Sequence, residues 1–154
     1  MPIPKTSADD LLKLDHQLCF ALYSASLAMT KLYKPLLEEL GLTYPQYLAM
    51  LVLWEQDGLM VSELGERLYL DSGTLTPLLK RLEAAGLVLR TRDMQDERRV
   101  HVTLTADGRQ LKARAAKIPG CIISAAQCAL PDLMALTGQV QALRQRLLSA
   151  GLPK

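Results

Sequence analysis

The sequence has few of the residue types that build metal sites and disulfide frameworks. Its 154 residues include only three cysteines and two histidines. An odd number of cysteines without a C-x-x-C pair does not suggest a disulfide framework, and two histidines give no spacing for a structural zinc site. We therefore predict no metal and no other cofactor, and any cysteine chemistry is redox chemistry.

Long apolar runs are also missing. No stretch approaches the roughly 20 apolar residues of a membrane helix, and the first ten residues, MPIPKTSADD, lack the basic and apolar blocks of a signal peptide. With 49% hydrophobic and 22% charged residues, the composition is that of a soluble globular chain. We expect one cytoplasmic domain, residues 1–154, with no membrane as a partner.

An excess of one charge is absent as well, since the formal net charge is only +2. Residues 1–58 carry four basic and seven acidic side chains, residues 59–105 carry seven of each, and residues 106–154 carry seven and two. A nucleic-acid interface would therefore depend on where individual arginines lie and not on overall charge. Four arginines do cluster within ten residues: Arg90, Arg92, Arg98 and Arg99.

Helical periodicity dominates what is present. Apolar residues at helical spacing predict a first helix over about residues 8–32. Pro35 is expected to start a short helix that ends at Gly41. Thr43, with Gln46 three residues later, predicts the cap of the next helix.

The middle of the chain has the pattern of a winged helix-turn-helix. Two short helices are predicted over about residues 61–68 and 73–85, with a tight turn between them and Gly86 at the end. Residues 87–92 and 99–104 alternate apolar and polar side chains around a polar tip, which predicts a two-stranded hairpin. The fold class is therefore mainly α with a small β-hairpin.

Thr105 is expected to cap a last helical region, interrupted at residues 119–120 and by Pro131 and extending to about Ser149. The first and last helices carry more apolar side chains than a small lobe can cover, which predicts a homodimer built through them. These side chains are Leu11, Leu14, Leu18, Ile122, Ile123, Leu143 and Leu147. The predicted organisation is a DNA-binding lobe at about 43–105 between dimerisation helices at about 8–40 and 106–150.

The second helix of the motif carries the predicted base and phosphate contacts. Ser72, Thr74 and Thr76 lie at its amino-terminal end, where hydroxyls and free N–H groups reach phosphates and base edges in the major groove. Lys80 and Arg81 can add phosphate contacts further along.

The hairpin tip carries the predicted minor-groove contact. The planar guanidinium of Arg98 suits the narrow, negative minor groove, and Arg99 adds a second positive charge. Asp96 is close enough in sequence to orient a neighbouring arginine.

Four motifs then occur in a recognisable order: QLCF at 17–20, LTYPQY at 42–47, LYLDSGTLTPLLKRLE at 68–83 and DER at 96–98. Through them, residues 11 to about 118 resemble the organic-hydroperoxide-sensing repressors (OhrR) of the MarR superfamily. The resemblance implies a homodimer that binds palindromic double-stranded operator DNA and represses a peroxide-detoxification gene. It also implies that organic hydroperoxides release the DNA by oxidising the cysteine of QLCF.

That cysteine is Cys19. The predicted first helix places it in a helix interior, away from the amino-terminal dipole, where apolar neighbours disfavour a thiolate. The resemblance implies that Cys19 is the sensing thiol and that the partner's Tyr33 and the partner's Tyr44 hydrogen-bond to it. Phenolic O–H groups stabilise a thiolate without adding a competing charge.

Oxidised Cys19 can persist as a sulfenic acid or form a disulfide with a resolving cysteine. Cys121 and Cys128 both lie where the family's resolving cysteine is found, and either could serve. If the helix between them is unbroken, they share one face roughly 10 Å apart along its axis. The residues leave this choice open.

Two further functions are compatible with the residues. One is a repressor of the same architecture that is switched by a small phenolic or carboxylate ligand, with Cys19 structural. The other is a thiol peroxidase, which is the weaker idea because no alternation of strands and helices surrounds Cys19. We predict no enzyme and no catalytic residue.

Overall fold

The computed structural model describes residues 7–151. Within them the chain has eight α-helices: α1 Ala8–Leu11, α2 Leu18–Glu38, α3 Tyr44–Glu55, α4 Val61–Leu68, α5 Ser72–Ala84, α6 Ala106–Ala115, α7 Ile118–Ala126 and α8 Leu130–Ala150. Three strands complete it: β1 Leu59–Met60, β2 Val88–Arg92 and β3 Val100–Leu104. The chain divides into two compact units between Ala115 and Ala116. Each unit is described by itself.

The predicted first helix is wrong, because the chain breaks twice before α2. The one-turn helix α1 is followed by a 3₁₀ turn over Leu14–His16, and α2 begins only at Leu18. Gln17 between them is extended, with φ −89° and ψ 113°. Its side-chain amide donates to the carbonyls of Leu11 and Lys13, which a continuous helix would have paired within itself. Cys19 therefore lies in the first turn of α2.

The short helix predicted from Pro35 is also wrong, since α2 runs through Pro35 to Glu38. A proline inside a helix lacks one N–H donor, but the helix continues beyond it here. The predicted cap of the next helix is confirmed. Thr43 Oγ1 accepts from the Gln46 N–H at 3.4 Å, and the Thr43 N–H donates to Gln46 Oε1 at 2.9 Å.

The two helices of the predicted helix-turn-helix are α4 and α5. The turn between them passes through Tyr69, which has a left-handed backbone with φ 57°. Helix α4 comes so close to this turn that a Cβ at Gly65 would lie 2.7 Å from the Leu70 carbonyl oxygen. Asp71 caps α5 by accepting from the Thr74 N–H at 2.8 Å.

The predicted hairpin is part of a three-stranded antiparallel sheet in the order β1-β3-β2. In the hairpin Val88 lies opposite Leu104 and Arg92 lies opposite Val100. The added strand, β1, pairs Leu59 with Val102. A strand of two residues is too short to show an alternating pattern, so β1 was not predicted. Helix-turn-helix and hairpin together form a winged helix.

The core of the first unit lies between α5, the sheet and the neighbouring helices. One face of α5 is buried and consists of leucines at helical spacing: Leu75, Leu78, Leu79 and Leu82. Helix α6 begins after Thr105, whose Oγ1 accepts from the Gly108 N–H at 3.0 Å, as the predicted cap requires. The indole Nε1 of Trp54 in α3 donates to the Gly108 carbonyl at 2.9 Å, which ties α6 to the lobe.

The second unit contains α7 and α8, and the premise that Cys121 and Cys128 share an unbroken helix is wrong. Helix α7 ends at Ala126, Gln127 takes a left-handed backbone with φ 54°, and Ala129 is extended before α8. Cys121 lies within α7, whereas Cys128 lies in the break, its Sγ 3.3 Å from the Ala126 carbonyl oxygen. Across residues 7–151, no helix taken singly has the length and apolar content to span a membrane.

Candidate DNA interface and redox site

The exposed face of α5 presents the five residues predicted to contact DNA. Ser72, Thr74, Lys80 and Arg81 are exposed and Thr76 is half-buried. Because residues four apart lie on the same side of a helix, Ser72, Thr76 and Lys80 form one stripe. This stripe is polar while the leucine face of the same helix is buried, so α5 is anchored on one side and open on the other.

At the tip of the hairpin Asp96 contacts both predicted arginines. Its Oδ1 accepts from the Arg98 backbone N–H at 3.1 Å and lies 3.4 Å from Arg98 Nε, while its Oδ2 lies 3.9 Å from Arg99 Nε. The Arg98 side chain is 94% exposed. Exposed ion pairs add little stability, so the effect of Asp96 is to orient the two guanidinium groups.

A cavity of about 260 Å³ between α5 and the hairpin, which we call the wing-root pocket, brings four of the predicted residues together. These are Ser72 and Thr76 from the helix and Arg98 and Arg99 from the loop that joins β2 to β3. The remaining lining residues are Met60, Val61, Ser62, Leu79, Arg90 and Val100. Thr74, Lys80 and Arg81 lie outside the pocket.

Arg90 also lines this pocket and had no predicted role. Its guanidinium Nη2 lies 3.3 Å from Glu83 Oε1, and its backbone N–H donates to Glu83 Oε2 at 2.8 Å. The backbone N–H of Arg90 is the main cause that lowers the pKa of Glu83, and the guanidinium adds to it. Its Nε is buried and has no hydrogen-bond partner among the residues that the structure describes.

Cys19 is exposed and lies at the second position of α2. The first N–H groups of a helix have no partner within it, and the helix dipole places a partial positive charge there. The predicted position of Cys19 in a helix interior, away from the amino-terminal end, is therefore wrong. Asp15 lies in the 3₁₀ turn that precedes α2.

The two predicted tyrosines pack in a cluster with a third. The ring centroids of Tyr33 and Tyr44 lie 4.9 Å apart, and Tyr47 lies 5.9 Å from the first and 6.3 Å from the second. Tyr47 is only 3% exposed and was not predicted as part of the site. The available signal was its spacing from Tyr44, three residues along the same helix.

All three phenols are held in the protonated form. Burial raises the pKa of Tyr33 to about 12, with a smaller contribution from the neighbouring phenols. Burial likewise raises the pKa of Tyr44 and of Tyr47, and Tyr44 adds to the shift at Tyr47. At neutral pH the cluster therefore offers O–H donors and no negative charge. The predicted bonds from these tyrosines to Cys19 involve a second chain and stay a prediction.

Comparison with known proteins identifies the family. A family model described as "Transcriptional regulator SarA/Rot" matches residues 31–115. The chain is 52% identical over 138 residues to the organic hydroperoxide resistance transcriptional regulator of Bacillus subtilis (strain 168), which covers 90% of this chain and 94% of that protein. The chain belongs to the organic hydroperoxide resistance regulators of the MarR superfamily.

Solved structures of AbfR from Staphylococcus epidermidis are similar to this regulator. The AbfR structure has a TM-score of 0.74 at 34% identity and covers 91% of this chain and 97% of that one. Reduced AbfR bound to DNA has a TM-score of 0.73 at 34% identity, with 88% and 96% covered. Disulfide-formed AbfR has a TM-score of 0.61 at 35% identity, with 90% and 92% covered. The chain is thus a winged-helix transcriptional regulator and not an enzyme.

Proposed function

We propose that this regulator represses a peroxide-detoxification gene in the cytoplasm and releases its operator when an organic hydroperoxide oxidises Cys19. The observation that carries the proposal is the position of Cys19, an exposed thiol in the first turn of α2. The 52% identity to an organic hydroperoxide resistance regulator supports the choice of effector.

The DNA-binding step uses the open face of α5 and the hairpin. In this scheme α5 lies in the major groove with Ser72, Thr74 and Thr76 towards the bases, and the hairpin places Arg98 at the minor groove. Lys80, Arg81 and Arg99 bind phosphates. A symmetric homodimer presents two such lobes, so the operator is palindromic. The DNA-bound structure of reduced AbfR supports this use of the fold.

The sensing step is a two-electron oxidation at sulfur. The Cys19 thiolate attacks the terminal peroxide oxygen, the O–O bond breaks, and the alcohol leaves after it takes up a proton. The sulfur becomes a sulfenic acid while the hydroperoxide is reduced to the alcohol. The phenols of the partner's Tyr33 and the partner's Tyr44 donate hydrogen bonds to the sulfur before the attack.

The oxidised state is completed by a second thiol. Cys121 or Cys128 of the partner subunit attacks the sulfenic acid sulfur, an S–S bond forms and water leaves. Both cysteines are free and exposed, as Cys19 is. The disulfide-formed structure of AbfR supports a disulfide as the end state. Release follows only if this bond fits one arrangement of the dimer better than the other, because a change without differential free energy shifts no equilibrium.

The substitution Cys19→Ser tests the proposal. It keeps the shape of the site but forms neither sulfenic acid nor disulfide, so the variant binds the operator like the wild type and stays bound when cumene hydroperoxide is added. The wild type loses about 100-fold or more in operator affinity under the same treatment, which corresponds to a coupling of a few kcal/mol. The measurement is fluorescence anisotropy of labelled operator before and after one equivalent of peroxide.

Matched variants separate the resolving cysteines. Cys121→Ser and Cys128→Ser are treated alike, and intact mass under non-reducing conditions reports which variant still forms the cross-link. If Cys19→Ser leaves the operator at the same peroxide concentration as the wild type, Cys19 is not the sensor.

A second candidate function is a ligand-switched repressor, and one cavity favours it. An open cavity of about 410 Å³ between α2 and α3 has mostly apolar walls, with Lys31, Lys34 and Tyr44 in its lining. Two ammonium groups beside a phenol suit a phenolic or carboxylate ligand. Titrating operator binding with salicylate in the absence of peroxide distinguishes the two functions, because only the ligand-switched repressor then releases DNA.

A further inference from the structure

The wing-root pocket has mostly apolar walls, and its lining includes three arginines and no carboxylate. Arg90 comes from β2, Arg98 and Arg99 come from the loop between β2 and β3, and the hydroxyls of Ser72 and Thr76 come from the facing helix. The carboxylates that contact these arginines, Glu83 and Asp96, are not among the lining residues. Glu83 contacts Arg90, and the single carboxylate of Asp96 serves both Arg98 and Arg99.

This arrangement leaves one arginine charge in excess at the pocket. Three guanidinium groups face two carboxylates, and the two contacts to Asp96 are long, at 3.4 and 3.9 Å. Close like charges raise the free energy of the site unless an anion lies between them. The pocket is therefore poised for a negative group.

Among the described residues, Arg90 is the arginine of the three that has a buried nitrogen without a hydrogen-bond partner. Glu83 occupies Nη2 at 3.3 Å, while Nε is buried without an acceptor in the part of the chain that the structure describes. Its side chain is 23% exposed, against 94% for Arg98 and 60% for Arg99. A partly desolvated guanidinium interacts more strongly with an anion than an exposed one, because solvent screens it less.

The size of the pocket limits the anion. Its volume of about 260 Å³ lies below the roughly 300–1,000 Å³ of pockets for drug-sized ligands. Guanidinium forks match the oxygens of phosphate geometrically, and hydroxyl groups donate to the same oxygens.

We propose that the wing-root pocket binds one phosphate group and that Arg90 is the residue at its base that holds it. The inference rests on the proposed DNA binding, since the pocket lies between the two elements that would enter the grooves. The phosphate is then one backbone phosphate of the operator in each half-site. Free inorganic phosphate offers the same chemistry, and the test separates the two sources.

The salt dependence of DNA binding measures the contact directly. Each neutralised phosphate contributes about 0.9 to the slope of log affinity against log salt concentration. Arg90→Gln should therefore lower the slope by about one for each half-site and weaken binding about tenfold per half-site, for the operator and for an unrelated duplex alike. Arg90→Lys keeps a positive charge and should recover the slope.

Glu83 supplies the matched control. A purely structural Arg90–Glu83 pair predicts that Glu83→Gln harms DNA binding as much as Arg90→Gln does. A phosphate site predicts the opposite, since Glu83→Gln removes a carboxylate that competes for Arg90, and affinity stays or rises. The double variant Glu83→Gln/Arg90→Gln, which leaves no unpaired carboxylate, should still show the reduced slope. Thermal melting of each variant confirms that it is folded.

A phosphate titration completes the test. At constant ionic strength, inorganic phosphate should displace DNA from the wild type more effectively than chloride, and this difference should vanish in Arg90→Gln.

An unchanged slope in folded Arg90→Gln, or no recovery of the slope in folded Arg90→Lys, overturns the assignment. If inorganic phosphate competes with DNA but Arg90→Gln binds DNA with full affinity, the phosphate held in the pocket is not a backbone phosphate of the operator. If the wild type binds no DNA, the proposed function is refuted. Direct calorimetric titration with inorganic phosphate then tests whether the pocket binds phosphate by itself.

Discussion

Three phenols within van der Waals reach of one another behave differently from three separate tyrosines. Tyr33, Tyr44 and Tyr47 are each partly or fully removed from water, and a charge on one would disfavour a charge on the next. Each therefore remains a neutral donor well above neutral pH. A sensor that needs O–H donors beside a thiolate is served by such a cluster over the whole physiological range.

The raised pKa of Tyr33 has a consequence for stability at high pH. Its pKa is about 12 in the folded chain, against the ordinary tyrosine value of 10.0. Between these values the unfolded chain has lost the proton that the folded chain retains, so the free energy of unfolding falls as pH rises from about 10 towards 12. Tyr33→Phe removes this group and should flatten that part of the profile. Urea unfolding at pH 9 to 12, with tyrosinate absorbance followed in parallel, provides the measurement.

Tyr23→Phe is the matched control for this experiment. Tyr23 lies on the same helix but is 64% exposed. Its removal should leave the alkaline profile as in the wild type. Equal flattening by both substitutions would show that the profile does not report burial of Tyr33.

At single positions the roles assigned from motifs stay predictions, and the predicted surroundings of Cys19 are wrong. Cys19, Tyr33 and Tyr44 were identified from motifs, but the sequence placed Cys19 in a helix interior. The Leu11, Leu14, Leu18 and Leu22 spacing fits a continuous helix, and nothing in that spacing shows that the Gln17 amide satisfies carbonyls of the preceding turns. Arg90 lacked a role because its partner Glu83 lies on another element.

Among the elements, the helix-turn-helix depends on the close approach of α4 to its own turn. At Gly65 a Cβ would lie 2.7 Å from the Leu70 carbonyl oxygen, which is backbone and cannot rotate away. The turn must shift to accept any side chain there. The angle between α4 and α5, and with it the presentation of α5 to DNA, depends on this glycine.

Gly65→Ala should therefore destabilise the lobe by about 1 to 3 kcal/mol, the usual cost of overpacking a close contact. The higher helix propensity of alanine offsets up to about 1 kcal/mol of this. The urea midpoint at fixed protein concentration gives the measurement.

Gly73→Ala is its control, because the nearest heavy atom to a Cβ there is an Asp71 side-chain oxygen at 3.4 Å. That variant should unfold at or somewhat above the wild-type midpoint, because alanine has the higher helix propensity. A Gly65→Ala midpoint at or above that of Gly73→Ala would show that the turn accommodates the methyl group.

Elements with strong local signals were predicted almost to the residue, and elements set by tertiary contacts were not. The α4 and α5 boundaries and both hairpin strands follow from caps, glycines and alternation. Strand β1 has only two residues and exists because β3 pairs with it. The break between α7 and α8 depends on the left-handed backbone of Gln127, which the residue type does not predict.

Over the whole molecule, apolar side chains remain exposed on the first and last long helices. Leu18, Leu27, Met134 and Leu147 are 58%, 48%, 65% and 63% exposed. Of the apolar residues predicted to lie in the dimer interface, Ile122 is already buried within the single chain, with 7% of its surface exposed. The others fit the proposed homodimer, since monomeric proteins rarely leave such surfaces in water.

We expect sedimentation at micromolar concentration to give twice the chain mass of 17.0 kDa. Met134→Glu on α8 should shift the chain towards the monomer, because it places a charge in the apolar interface. Met94→Glu at the hairpin tip is the control, since Met94 is 100% exposed. A wild type that sediments as a monomer, or an undisturbed Met134→Glu dimer, would contradict this assembly.

The bond between Trp54 and the Gly108 carbonyl gives the protein a built-in optical reporter. Trp54 is the chain's single tryptophan, so its emission spectrum arises from one place, the junction of α3 with α6. If oxidation at Cys19 is transmitted by loosening that junction, the emission should move to longer wavelength as the indole meets water. If the lobe moves as a rigid body, the spectrum should stay unchanged while DNA is released, and the two routes are told apart without any label.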